Sequence, residues 1–306
     1  MPILQMIIRV ALTLIAGWAG LCAIGVAVGG SIRAEIIVFS SLRDQQGESA
    51  NSDLYLMDIA FSTSQAVNIT RSAVDDVGAI WSPDGEQIAY NSFNTDRWEI
   101  VGVDFIGRER WRYDETSVPT FAADWSPDGS FLLLETRSSF GVADIELLDI
   151  ATLTRTPLLR DGAQNTTPRF SPDGSHIAFM SNRYGFTGLY LMQADGTEIR
   201  PLHDPLSIVS DRLDWSPDGA RLAISSFVDG RGQIFTVEVA SGEAFQVTDT
   251  PYTFNANPSW SADGTQIAFM ASAGGGTITA DLLVVNADGS GLRFVASDAK
   301  FPAWRP

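Results

Sequence analysis

The chain has 306 residues, 45% hydrophobic and 10% aromatic, and a formal net charge of −17 with only 20 Lys and Arg. That length supports one or two domains with a sizeable core. Nucleic acid is excluded as a partner, since binding a polyanion needs a basic face. With Cys22 as the only cysteine, no disulfide holds the fold together.

Residues 1–30 differ in composition from everything after them. Arg9 is followed by Val10 to Val28 without a charge. As a hydrophobic helix rising about 1.5 Å per residue, this stretch would nearly match a bilayer core of about 30 Å. We expect a signal peptide, with Ala27-Val28-Gly29 as a small-x-small cleavage site, or an uncleaved anchor through which the chain meets the membrane. The length favours the anchor.

From residue 31 to 306 one pattern repeats. Trp-Ser-Pro-Asp-Gly stands at Trp81–Gly85, Trp125–Gly129 and Trp215–Gly219, and with one change each at Phe170–Gly174 and Trp260–Gly264. Trp304-Arg305-Pro306 is a cut-off copy, so the aromatic recurs every 44 or 45 residues. Such a period marks repeated supersecondary units. Pro suits the second position of a type I turn and Gly the left-handed fourth, so the pentapeptide predicts a hairpin turn. The recurrence of its Asp in every unit argues for a structural part rather than a ligand or catalyst.

In chain order, the first predicted strand is Ile36 to Phe39, which no turn motif precedes. Its counterparts after each turn begin at Ile88, Leu132, Ile177, Leu222 and Ile267. Second strands follow at Leu54, Ile100, Ile145, Leu189, Ile234 and Leu282, and third strands near Val67, Trp111, Pro157, Ile199, Phe245 and Leu292. The segment leading into each aromatic is the fourth. Four short strands per repeat predict an all-β fold: a six-bladed β-propeller of four-stranded blades over residues 31–306, preceded by the N-terminal hydrophobic helix. Phe301 to Trp304 should complete the blade opened by Ile36, closing the ring.

The repeat, Trp-Ser-Pro-Asp-Gly followed by Ile-Ala-Phe, Leu-Tyr-Leu-Met and Asp-Gly, resembles that of the TolB-type β-propellers, most clearly from Phe170 to Met192. The resemblance covers the propeller alone. The α/β domain that precedes it in TolB has no counterpart between the apolar segment and the first strand. It implies a periplasmic or other extracytoplasmic location and a non-enzymatic scaffold that binds a protein partner, such as an envelope protein. Similar repeats occur in propellers attached to serine peptidases and in oligogalacturonate lyases, so a carbohydrate-active enzyme and a glycan- or solute-binding module are the alternatives.

The loops entering each inner strand should ring the central opening, on the face opposite the pentapeptide turns. Asp76, Asn165, Asp211 and Asn257 are the candidate binding residues there, lining a polar mouth for a basic peptide segment or a cation. No cofactor is expected beyond a divalent cation in that mouth. A second set, Phe93, Arg97, Trp98, Phe140, Arg183, Tyr184, Phe186, Phe227 and Arg231, offers an interface rim, with Trp98, Tyr184 and Phe186 expected to pack between blades. Catalysis has little support. Gly-x-Ser-x-Gly is absent, and the two histidines, His176 and His203, are far apart in the sequence.

Overall fold

In a computed structural model, the described residues are 35–43, 51–61, 64–114, 118–138, 141–202, 212–274 and 279–306. Their regular elements are all strands. The first are β1 (Ile36–Ser41), β2 (Asp53–Asp58) and β3 (Val67–Asn68), followed by β4 (Asp75–Trp81), β5 (Gln87–Asn94), β6 (Arg97–Asp104) and β7 (Glu109–Tyr113). Next come β8 (Thr120–Trp125), β9 (Phe131–Arg137), β10 (Ala143–Asp149) and β11 (Thr154–Leu159), then β12 (Asn165–Phe170), β13 (His176–Ser181), β14 (Gly188–Gln193) and β15 (Arg200–Pro201). The last set is β16 (Asp214–Trp215), β17 (Arg221–Val228), β18 (Arg231–Glu238), β19 (Ala244–Gln246), β20 (Phe254–Trp260), β21 (Gln266–Ser272), β22 (Asp281–Asn286), β23 (Arg293–Ala296) and β24 (Lys300–Trp304).

The strands form because their apolar residues have a core on both faces. Successive side chains point to opposite sides of a sheet, so a strand buried on both reads as an unbroken apolar run. In β1, Ile36 and Val38 pack with Trp81, Ile88 and Val101 of the following sheet, while Ile37 and Phe39 pack with Leu282, Val284 and Trp304. The same division recurs along the chain. Ala178, Leu189 and Leu191 meet Trp215 and Leu222, whereas Ile177, Phe179 and Tyr190 meet Leu133 and Ile145.

Chain closure follows the expected route. β24 pairs antiparallel with β1, setting Ile37 opposite Trp304 and Val38 opposite Ala303, and the Arg305 N–H donates to the Ile36 carbonyl at 2.9 Å. The blade count needs correction. Hydrogen bonding gives four separate four-stranded blades and one eight-stranded sheet, not six separate four-stranded blades. The eight-stranded sheet arises where β20 pairs in parallel with β18 at Gly232 and Phe254. Gly232 permits this approach, because a Cβ there would lie 3.0 Å from the Phe254 ring and 3.4 Å from the Asn255 backbone. The Gly232 N–H donates to the Thr253 carbonyl at 3.0 Å, and Asn255 Nδ2 to the Gly232 carbonyl at 2.7 Å. No helix occurs among the described residues, and none there is long and apolar enough to cross a membrane. The helix expected over residues 1–30 lies outside them.

The pentapeptide is a self-locked turn. Ser126 Oγ donates to Asp128 at 2.6 Å and accepts from the Phe131 N–H, while the Gly129 N–H reaches the Ser126 carbonyl at 2.8 Å. Gly129 sits at φ +74, the left-handed region where a side chain is strained. Serine and aspartate repeat the lock at Ser82, Ser171, Ser216 and Ser261. In each motif an Asp oxygen thus accepts hydrogen bonds within its own turn, as its recurrence implied.

Candidate functional site

The strand leading into each motif aromatic ends its sheet at the hub, except that β20 also pairs with β18 at its first residue, so N–H groups on its outer side lack a sheet partner. A buried donor must find one elsewhere. Side chains of the preceding repeat supply it. Asn91 Oδ1 accepts from the Ala122 N–H at 2.8 Å, and a Glu135 oxygen from the Thr167 N–H at 2.9 Å. Asp124 accepts from the Phe170 N–H at 2.8 Å, Asp214 from the Trp260 N–H at 2.7 Å and Ser259 from the Trp304 N–H at 3.0 Å.

Charged groups join these partners at the hub. Arg169 Nη1 lies 3.1 Å from Asp124, and its Nε donates to the Leu213 carbonyl at 3.0 Å. Arg212, just before β16, reaches across to β4 and β24, where it donates to the carbonyls of Ala79 at 2.8 Å and Pro302 at 3.3 Å. Burial pushes its guanidinium down to about 9, which leaves it protonated at neutral pH. Burial raises both Asp124 and Asp214, although 22% of the Asp124 side chain remains accessible. The hub is therefore crossed by paired and hydrogen-bonded charges.

The predicted mouth residues fall differently. Asp76 and Asn165 hold equivalent places at the start of β4 and β12, five residues before the motif aromatic; Asn257 is three before it, where Asn255 is the true equivalent. All three are buried, at 1%, 0% and 1% exposure. Asn165 is held by Asp161, Ser181 and Arg183. Asn257, at φ +54, donates to Met270 Sδ at 3.0 Å, and its Oδ1 has no hydrogen-bond partner. Asp211 lies outside the described residues. Arg169, Arg212, Asp124 and Asp214 were the hub residues that sequence reasoning missed. Their signal was present: aligning the repeats on the aromatic puts Asp124, Arg169 and Asp214 at one position, directly before it.

Asp76 is the carboxyl of the predicted set that falls among the described residues. Its Oδ1 accepts from Ser92 at 2.6 Å, while Oδ2 is buried without a partner. Burial, with the nearby Asp53 adding to it, pushes the group up to about 6. The unfolded value is about 4, so the native state holds the extra proton. The stability this proton gives is present below about pH 4 and lost as pH rises to about 6. Asp76→Asn keeps the acceptor for Ser92 and removes the buried charge. It should stabilise the fold by about 2 to 3 kcal/mol at neutral pH and by little near pH 4. Urea melts at the two pH values check this, and equal effects at both would refute it.

The aromatic and basic set divides in two. Trp98 packs as expected, its ring centroid 5.0 Å from that of Phe93 and 5.2 Å from that of Phe121 in the next sheet. Tyr184 and Phe186 do not; they are 69% and 53% exposed. Arg183 beside them stacks 5.2 Å from the Phe179 centroid and 5.0 Å from that of Tyr190, with Asp161 at 3.2 Å. Arg231 donates to the Thr250 carbonyl, and Phe227 is 40% exposed. Phe140 and His203 lie outside the described residues. His176 Nδ1 is 2.7 Å from Ser175 Oγ. Among the described residues, no group of three or more His, Cys, Asp or Glu is placed to hold a metal ion.

A ring of edge strands tied together by side chains from the preceding repeat defines a β-propeller. The chain belongs to the TolB beta propeller domain family, whose model matches residues 35–306. TolB from Acinetobacter baumannii superposes with a TM-score of 0.74 at 23% identity, over 90% of this chain and 68% of that one. A putative TolB from Agrobacterium tumefaciens gives 0.66 at 20% identity, over 89% of this chain and 92% of its own. An uncharacterized protein of Agrobacterium fabrum, Atu1656, is 34% identical over 89 residues, which is 29% of this chain and 30% of that protein's length. More distant folds of the same kind include a puromycin hydrolase and an oligogalacturonate lyase solved with manganese. At these identities, the likeness to solved structures shows the fold alone.

Proposed function

We propose that the chain is a non-enzymatic TolB-like propeller of the extracytoplasmic space, acting as a scaffold for a protein partner. The observation that carries this reading is the loop after β13, where Tyr184 and Phe186 are exposed beside an arginine fixed by its neighbours. Exposed aromatics on a rigid support lose little entropy on binding and serve as interface anchors. Arg183 is fixed by Asp161, Asn165 and Ser181, so the loop is organised before a partner arrives. The hub supports the same reading, since its carboxylates and guanidinium groups are engaged in holding sheets together. The charge-free stretch Val10 to Val28 supports export, and N-terminal sequencing of the exported protein would tell cleavage from retention as an anchor.

The test is cross-linking capture from envelope fractions with the native chain and a Tyr184→Ser, Phe186→Ser variant. The native chain should recover a specific protein that the variant loses. Identical recoveries by both, or turnover of polyuronides by the pure protein, would overturn the proposal.

A further inference from the structure

Two junctions between repeats seat an arginine over the motif tryptophan. Before Trp260, Arg221 of the preceding repeat places its guanidinium carbon 4.8 Å from the ring centroid. Before Trp81, Arg305 lies 5.6 Å from the ring, and its Nε donates to the Gly85 carbonyl at 3.0 Å, facing Asp84 and Glu86. The junction before Trp215 has the same turn and tryptophan, with no arginine among the described residues stacked on the ring. It opens as a groove of about 450 Å³ on the pentapeptide-turn side, lined by Trp215, Gly219, Asp218, Asp173, Pro172 and His176. His176 occupies the repeat position that Arg221 holds in the next unit, six residues after the aromatic.

We propose that this groove binds an arginine side chain presented by a basic segment of a protein partner. Trp215 supplies a ring for a stacked guanidinium, and the Gly219 carbonyl corresponds to the acceptor that Arg305 finds at Gly85. Asp173 and Asp218 remain ionised at neutral pH. The bond from Ser171 holds Asp173 down to about 2, and that from Ser216 lowers Asp218. Arg200 also lines the groove, leaving two carboxylates to one guanidinium. A second copy of this chain is a poorer occupant, since a net charge of −17 opposes its approach to an acidic groove. Arginine is preferred to lysine, because a planar fork can stack on the ring while donating to oxygens at its edge.

The proposal extends the binding-scaffold reading to a second face and does not use the Tyr184 loop. Peptide binding here can therefore fail while partner capture there succeeds, and the reverse. The experiment is a fluorescence-anisotropy titration with a labelled Gly-Ser-Arg-Ser-Gly peptide and its lysine counterpart. The arginine peptide should bind about tenfold more tightly. His176→Arg should place in the groove the guanidinium that Arg221 supplies at the next junction, abolishing binding with the melting temperature unchanged. Asp173→Asn should weaken it as a second variant. Equal binding of both peptides, no binding of either, or undiminished binding by folded His176→Arg would overturn the proposal.

Discussion

Removing residues 300–306 is expected to abolish cooperative folding. β24 contributes Ala303 and Trp304 to two separate cores, and without it β1 becomes an exposed edge. The Trp81 indole loses its acceptor on Ala303, at 3.1 Å, and Arg212 loses the Pro302 carbonyl. Loss of one buried tryptophan costs about 3 to 5 kcal/mol, and a domain has only about 5 to 15 in total. The truncated chain should therefore show no sharp thermal transition by circular dichroism. Trp304→Ala is the milder test and should cost about 3 to 5 kcal/mol. A truncated chain that melts like the intact one would mean that ring closure is unimportant to the fold.

Arg169→Ala should be the most damaging single change at the hub. It strips Asp124 of its counter-charge and leaves the Leu213 carbonyl without its donor. Breaking a buried pair from one side typically costs about 3 to 5 kcal/mol, because the remaining charge is not re-solvated. The 22% exposure of the Asp124 side chain places the expected loss at the lower end. Asp124→Asn alone should cost less, since the amide oxygen can still accept from the Phe170 N–H. In the Arg169→Ala background the same change should recover part of the loss. Denaturant melts of the four proteins give the coupling between the two positions. Strict additivity would show that the pair does not act as one unit.

The repeating frame was legible because its determinants are local. Ser, Pro, Asp and Gly encode the turn within five residues, and apolar runs bounded by such turns can only be short strands. Trp98 could be placed between sheets for a similar reason, as a large aromatic at a strand start. Tyr184 and Phe186 could not, because exposure depends on what the neighbouring repeat brings opposite them. The mouth residues were chosen for polarity and loop position. Asp76 and Asn165 instead lie inside, where Ser92 and Ser181 meet them from adjacent strands.

By itself, then, the sequence determined the period, the turns, the strands and the pairing of the two ends of residues 35–306, each a matter of residue type at fixed spacing. Tertiary structure decided that two repeats share one eight-stranded sheet, that Arg212 crosses the hub, and that no arginine among the described residues stacks in the groove before Trp215. These depend on the distance between backbones far apart in the chain. Such distances are set when whole sheets pack, and a missing side chain at Gly232 or a His in place of an Arg at position 176 takes its meaning only there.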